Sequence, residues 1–184
     1  MLAPDIRMRY QEGTKRKKMW EEQYNRVFKG SEVESLEFSD LSNYNRPVNV
    51  NARVKVSQFG RVEGDNMMFK ATFFPVGRIK HFAQTETRHN DLLLFFPSRV
   101  ASKITYTIPD DYEIKNLPED VDMENEYASY KFTARAKNKH QIEVNIALEV
   151  KATRVPKEDY SKFREFCTEI KKVEKEECEL SRME

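Results

Sequence analysis

Apolar residues occupy alternate positions along much of the second half of the chain. Between residues 141 and 150, the run QIEVNIALEV places five apolar side chains on one face of an extended backbone, and most of the intervening positions are polar or charged. A period of two is typical of a half-buried antiparallel strand. The pattern predicts one long strand over residues 139–155, with Ile146 in the middle of its buried face.

The same alternation marks four further segments, at residues 48–56, 67–73, 104–108 and 130–136. The continuous apolar run LLLFF at residues 92–96 predicts a strand that is buried on both faces. Roughly eight to nine strands at short spacing, with turn residues between them, indicate a β-sandwich or an open barrel. We take an antiparallel β-sandwich as the prediction. Strands do not alternate with helices, so a parallel nucleotide-binding sheet is not expected.

Two segments have helical spacing instead. The first covers residues 14–29, and Gly30 follows it in the position of a C-terminal cap. The second covers about residues 156–173, and Pro156 is suited to the first helical position. The apolar stripe of this second helix consists of Tyr160, Phe163, Phe166, Cys167, Ile170 and Val173. A short strand-like or frayed tail is expected after it, at residues 178–180.

The predicted fold class is therefore mainly β: an antiparallel β-sandwich on which an N-terminal helix and a C-terminal helix pack. Residues 1–30 are predicted to form an N-terminal linker helix region. Residues 31–184 are predicted to form the β-sandwich domain together with the C-terminal helix. The chain has 184 residues, 12 of them Phe and 8 of them Tyr, which is enough to build one ordinary hydrophobic core.

Charge and hydropathy exclude several kinds of partner. The formal net charge is +1, so no overall field favours nucleic acid or an anionic membrane. The basic run at residues 15–18 is interpreted as a solvated helix face. No apolar run approaches the roughly 20 residues of a membrane helix. Residues 1–5 lack an apolar stretch, so no signal peptide is expected on this chain.

The reactive residue types form no recognised catalytic or metal-binding motif. Cys167 and Cys178 are expected to be buried, unreactive thiols; if both lay on one helix they would be about 16 Å apart, too far for a disulfide. His81, His89 and His140 lack the spacing of a metal site. The acidic stretch at residues 119–126 lacks the residue order of a calcium loop. We therefore expect no catalytic residues, no metal and no cofactor.

Four aromatic residues fall outside the clearest buried stripes. They are Tyr44, Phe59, Phe74 and Phe82. A row of exposed rings on a sandwich can stack on sugars or bind a partner, so these residues are the candidate interaction surface. The alternative is that the rings cover the sandwich edges or meet a neighbouring domain.

The order of several phrases carries a family resemblance. The phrases are RHNDLLLFFP at residues 88–97, ITYTIPDDYEI at 104–114, NLPED at 116–120, ENEY at 124–127 and RVPKEDY at 154–160. In this order they resemble the C-terminal, DUF3858-type domain of bacterial proteins that also carry a DUF3857 domain and a transglutaminase-like domain. The resemblance covers roughly residues 48–180 and contains no catalytic motif.

The resemblance implies a non-catalytic module whose partner is a transglutaminase-like catalytic domain, either in the same chain or from a parent protein. The core of that domain would carry a Cys, a His and an Asp, and in this sequence no Cys precedes any His. The chain is accordingly expected not to be an enzyme. The alternative hypothesis is an independent glycan- or peptide-binding β-sandwich. The compartment stays open, although an exported parent protein would place the chain in the periplasm.

Overall fold

The computed structural model of the protein describes residues 3–57, 59–73 and 79–183. The chain divides into two compact units, Met1–Phe59 and Gly60–Glu184. Sequence analysis places the domain boundary earlier, between residues 30 and 31. The two boundaries differ because the hairpin that follows residue 30 packs with the N-terminal helix within the first unit. None of the helices in the described ranges is both long and apolar enough to cross a membrane.

The first unit combines short helices with a two-stranded ribbon. Its elements are α1 (Ala3–Arg9), a 3₁₀ turn (Gly13–Lys15), α2 (Arg16–Asn25), β1 (Glu32–Phe38) and β2 (Val50–Lys55). Strands β1 and β2 pair antiparallel, with an irregularity in register between Val33 and Ser35. Helix α2 is shorter than the predicted helix at residues 14–29. Gly30 has a φ of +74°, which fits its predicted place after the helix.

Aromatic rings form much of the core of this unit. Tyr10 is almost fully buried, and its ring centroid lies 5.4 Å from that of Trp20 and 5.3 Å from that of Phe38. Trp20 meets Phe38 edge to face at 5.8 Å. Aromatic pairs at these centroid distances stabilise a core beyond the contribution of the apolar area that they bury. The rings therefore join the first helices to β1.

The second unit contains two four-stranded antiparallel sheets in a sandwich-like arrangement, which confirms the mainly β prediction. One sheet has the strand order β6-β10-β9-β8, formed by Ser98–Thr107, Gln141–Val150, Ala128–Asn138 and Val121–Glu124. The other has the order β3-β4-β12-β7, formed by Arg61–Glu63, Asn66–Lys70, Glu177–Arg182 and Tyr112–Asn116. A separate pair joins β5 (Leu92–Leu93) to β11 (Arg154–Val155). The remaining elements are the helices α3 (Ile79–Phe82) and α4 (Tyr160–Val173).

The described residues contain twelve strands, more than the eight to nine predicted. The difference comes mainly from strands of two to four residues, namely β3, β5, β8 and β11. Such strands are too short to show an alternating pattern. The pairing of β3 with β4 confirms the hairpin predicted around residues 63–66, where Gly64 has a φ of +60°.

Strand β10 is the centre of the first sheet. Its alternate residues Ile142, Val144, Ile146, Leu148 and Val150 are all buried, as predicted. The predicted strand at residues 139–155 is nevertheless too long. It divides at residues 151–153, after which β11 pairs with β5 instead of continuing in the same sheet.

Helix α4 buries the whole predicted stripe. It begins at Tyr160 and not at Pro156, since residues 157–159 form a turn. The Tyr160 hydroxyl lies within hydrogen-bond distance of two carbonyl oxygens, those of Thr85 (2.7 Å) and Phe82 (3.1 Å). The Arg88 guanidinium lies 5.1 Å from the centre of the Tyr160 ring. The start of the helix is thus fixed to the segment at residues 82–88.

The segment predicted as a strand-like tail is β12, an interior strand of the second sheet. Cys178 and Leu180 on this strand are both buried. Strand β12 pairs with β4 on one side and with β7 on the other.

We expect Ile146→Ala to lower the free energy of unfolding by about 2–5 kcal/mol, because it removes buried methyl groups from the centre of β10. Ile146 is directly opposite Phe132 on β9 and Ser102 on β6. Asn145→Ala is the matched control, since the Asn145 side chain is on the other face, near Thr133 and Glu143. Urea unfolding of both variants tests this expectation. Equal losses of stability would contradict it.

Candidate interaction surface

The structure separates the four predicted surface aromatics. Tyr44 is exposed (75%), and the Arg7 guanidinium lies 5.0 Å from its ring centre. Phe59 is half-buried and stacks on Phe28 at 5.8 Å. Phe74 lies outside the described residues.

The prediction is wrong for Phe82. Its side chain is buried, and its ring lies 6.1 Å from that of Phe163 on α4. Phe82 falls outside the predicted buried stripes because it lies on a helix, α3, where a period of two does not apply. Tyr44 is therefore the most exposed of the candidates that the structure describes.

Arg7 fixes the loop that carries Tyr44. Its side chain is buried, and its guanidinium donates hydrogen bonds to three backbone carbonyls, those of Leu41, Asn43 (2.8 Å) and Arg46 (2.7 Å). A charged donor bound to several carbonyls holds a loop more firmly than neutral hydrogen bonds do. The backbone on both sides of Tyr44 is consequently fixed by hydrogen bonds to Arg7.

A small cleft of about 240 Å³ lies in the same loop. It is lined by Ser39, Asp40, Asn43, Arg46, Pro47 and Asn49. The Asp40 carboxylate accepts hydrogen bonds from the Ser42 hydroxyl (2.6 Å) and the Ser42 backbone N–H (2.9 Å), and these bonds lower the pKa of Asp40. The cleft therefore contains a carboxylate that stays ionised at neutral pH, together with amide and guanidinium donors.

A second exposed surface was missed by sequence analysis. Three of the four residues at positions 93–96, which we call the aromatic loop, are exposed: Leu93 (59%), Phe95 (69%) and Phe96 (46%). The prediction of a strand buried on both faces at residues 92–96 is wrong, because only Leu92 and Leu94 are buried. Apolar content alone cannot distinguish a buried strand from an apolar loop. The flanking Asn90, Asp91 and Pro97 are the only sequence signals of a loop here.

The backbone of the aromatic loop is strained at its tip. Phe95 has a φ of +70° and is the one non-glycine residue with a positive φ among those that the structure describes. The Phe96 backbone N–H donates to the Leu94 carbonyl at 3.0 Å, which closes a three-residue turn around Phe95. Residues other than glycine rarely adopt this region, and the conformation costs about 1–2 kcal/mol.

Neighbouring backbone contacts support the aromatic loop on one side. The Leu94 N–H donates to the Thr153 carbonyl at 2.8 Å, directly beside the β5–β11 pair. The Asp91 carboxylate accepts a hydrogen bond from the Lys157 backbone N–H at 3.1 Å and lies 3.4 Å from the Arg154 guanidinium. The exposed Phe95 is thus flanked by residues whose backbone and side chains are hydrogen-bonded to the segment at 153–157.

Both thiols are poorly suited to nucleophilic chemistry. Cys167 on α4 and Cys178 on β12 are free and buried. Burial raises the pKa of each thiol to about 12, so almost no thiolate is present at neutral pH. Among the described residues, no three His, Cys, Asp or Glu side chains form a group that could hold a metal ion.

Comparison with known proteins gives one family and one solved structure. The profile of a family described as a domain of unknown function with a solved structure, DUF3858, matches residues 65–180. The fold resembles a crystal structure of a candidate protease from Parabacteroides distasonis ATCC 8503, with a TM-score of 0.54 and 15% identity. The match covers 65% of this chain but only 24% of that protein. No curated protein sequence matches the chain.

We expect Phe95→Gly to leave the free energy of unfolding unchanged or to raise it by up to about 1 kcal/mol. Glycine adopts a positive φ without a steric penalty, which offsets the greater flexibility that it gives to the unfolded chain. Phe96→Gly is the matched control and should lower stability by roughly 0.5–1 kcal/mol, because Phe96 has no positive φ to relieve. Urea unfolding measures both. A loss for Phe95→Gly as large as that for Phe96→Gly would show that Phe95 is not strained.

Proposed function

Because the chain belongs to the DUF3858 family, we propose that it is a non-catalytic accessory module that binds a transglutaminase-like catalytic domain through the aromatic loop. The partner is the one that the family resemblance implies. The exposed and conformationally strained Phe95 is the observation that carries the proposal.

The exposure of the loop supports a docking role. Single exposed apolar residues are common, but here three large apolar side chains are exposed within four positions, and exposed apolar surface of this kind is typical of interaction sites. Exposed aromatic side chains are also enriched among the residues that dominate binding energy. A braced loop loses little conformational freedom on binding, which favours affinity.

The extent of the structural match also supports a role within a larger assembly. The chain spans 24% of the length of the solved structure that it resembles, so a domain with this fold occurs as a part of a longer protein. A domain in that setting meets neighbours, and interfaces between domains resemble transient protein–protein interfaces.

The docking test uses the full chain and purified transglutaminase-like domains encoded in its source genome. We expect a measurable dissociation constant by titration calorimetry. Phe95→Ser should weaken binding by roughly 30-fold or more, the loss expected for a hot-spot residue worth about 2 kcal/mol. Val62→Ser is the matched control, since Val62 is another exposed apolar residue, on β3. Equal effects of the two substitutions, or no binding to any such domain, would contradict the proposal.

A separate test concerns catalysis. We expect no turnover of ester, amide or amine-acceptor substrates by the full chain at neutral pH, because both thiols are protonated and buried. Cys167→Ala and Cys178→Ala should behave as the wild type does. Turnover that is lost in either variant would mean that the chain is an enzyme.

A glycan-binding module is the second candidate function, and the exposed Tyr44 in the loop that forms the cleft favours it. An exposed tyrosine ring can stack on a sugar while carboxylate, amide and guanidinium groups bind its hydroxyls. Glucose, galactose and N-acetylglucosamine are suitable probes in saturation-transfer NMR. Saturation transfer that disappears in Tyr44→Ala and remains in Tyr44→Phe would support this candidate over the docking module.

A further inference from the structure

Strand β6 is an unusually long sheet edge. It has ten residues, and among the described strands only β10 is hydrogen-bonded to it. The other edges of the two four-stranded sheets have three, four and five residues. Short edge strands are one of the ways in which proteins avoid unwanted pairing, and a long regular edge is a template for another strand.

The backbone of β6 is regular along its whole length. It is in continuous register with β10 from Ser98 opposite Val150 to Thr107 opposite Gln141, without a bulge. The strand contains no proline. It therefore lacks two of the features that make an edge unsuitable for strand addition.

The two faces of β6 differ. Val100 and Ile104 point to the same side as the buried Tyr106 but are only half-buried. Arg99, Ala101, Lys103 and Thr105 on the other face are exposed. A strand added at this edge would cover part of Val100 and Ile104, so apolar burial would favour its addition.

Both positive charges on β6 have an acidic residue of β10 nearby. The Lys103 ammonium lies 2.7 Å from the Glu143 carboxylate, and Arg99 is directly opposite Glu149 on β10. An incoming strand therefore needs no acidic residues to match this edge. A second copy of β6 is such a strand, because its only charged residues are Arg99 and Lys103.

We propose that two copies of the chain pair antiparallel through β6, with the twofold axis at Ser102. In this register Val100 of each copy is opposite Ile104 of the other, so the half-buried apolar residues cover one another. Arg99 is then opposite Thr105, and Lys103 is opposite Ala101. The four-stranded sheet that contains β6 then joins the same sheet of the second copy to form one continuous eight-stranded sheet.

Neighbouring registers that keep the same faces aligned are less favourable. An axis at Ala101 places Arg99 opposite Lys103, and like charges directly opposite each other are destabilising. An axis at Lys103 places the two Lys103 side chains opposite each other. Both shifts also place a serine opposite an apolar residue, since Ser102 then faces Val100 or Ile104. Of these three registers, the residue pattern therefore favours the one with its axis at Ser102.

The first experiment measures dimerisation of the full chain by analytical ultracentrifugation. Ala101 is exposed and would be opposite Lys103 of the second copy, so Ala101→Lys should weaken the dimer roughly tenfold over the two symmetric contacts. Ala101→Glu should strengthen it to a similar extent. Ala136→Lys is the matched control, because Ala136 is an exposed alanine on the interior strand β9. This control should leave the dimer unchanged.

The second experiment tests the register. Ser102→Cys would place two thiols opposite each other, at a Cα separation of about 4.5–5.5 Å that suits a disulfide. We expect a disulfide-linked dimer after mild oxidation, whereas Ala101→Cys should cross-link less efficiently. The native cysteines are buried and should not contribute. A monomeric wild type at every concentration, equal effects of Ala101→Lys and Ala136→Lys, or no cross-link through Ser102→Cys would each overturn the proposal. The test does not depend on the proposed transglutaminase-like partner.

Discussion

The second sheet of the larger unit depends on hydrogen bonds made by the last strand of the chain. Strand β12 lies between β4 and β7 and pairs with both. These partners come from residues 66–70 and 112–116, so the ladder joins segments that are distant in sequence. Such long-range pairing carries a loop-closure entropy cost that the ladder must offset. The burial of Cys178 and Leu180 couples the same strand to the core. Glu177 and Glu179, the acidic residues that flank Cys178, thus belong to a middle strand of the sheet.

Two of the features proposed for interaction, the aromatic loop and the edge of β6, lie in one continuous stretch that begins at β5. Its two ends are fixed by different ladders, since β5 pairs with β11 and β6 pairs with β10. The chain between these ladders has little freedom, which is consistent with the strained φ of Phe95. A surface with a fixed geometry loses little conformational entropy on binding, and such preorganisation is a general route to affinity.

Sequence alone predicted the elements with long, clean periodicity. The buried face of β10 and the stripe of α4 are confirmed residue by residue, because burial on one side of a regular element leaves a repeat of fixed period. It failed where an apolar run was short. Residues 92–96 have the composition of a buried strand, yet tertiary context exposes three of them. The prediction for Phe82 failed because α3 is a single helical turn, which is too short to show a period in the sequence. The positive φ of Phe95 has no counterpart in the sequence.

The candidate sites were less predictable than the fold. Tyr44 was identified as an aromatic residue outside the buried stripes, but its support by the buried Arg7 links residues that are 34 to 39 positions apart. The pattern of β6 was visible as alternation, whereas its position at a sheet edge follows only from the strand order.

Trp20, the single tryptophan of the chain, belongs to the aromatic core of the first unit. Its fluorescence emission therefore reports on the unfolding of that unit, while the circular dichroism of the strands is dominated by the second. Units that unfold independently would give two transitions that do not coincide, and cooperative unfolding would give a single one. The fluorescence of one indole and the circular dichroism of the strands therefore distinguish the unfolding of the smaller unit from that of the larger one.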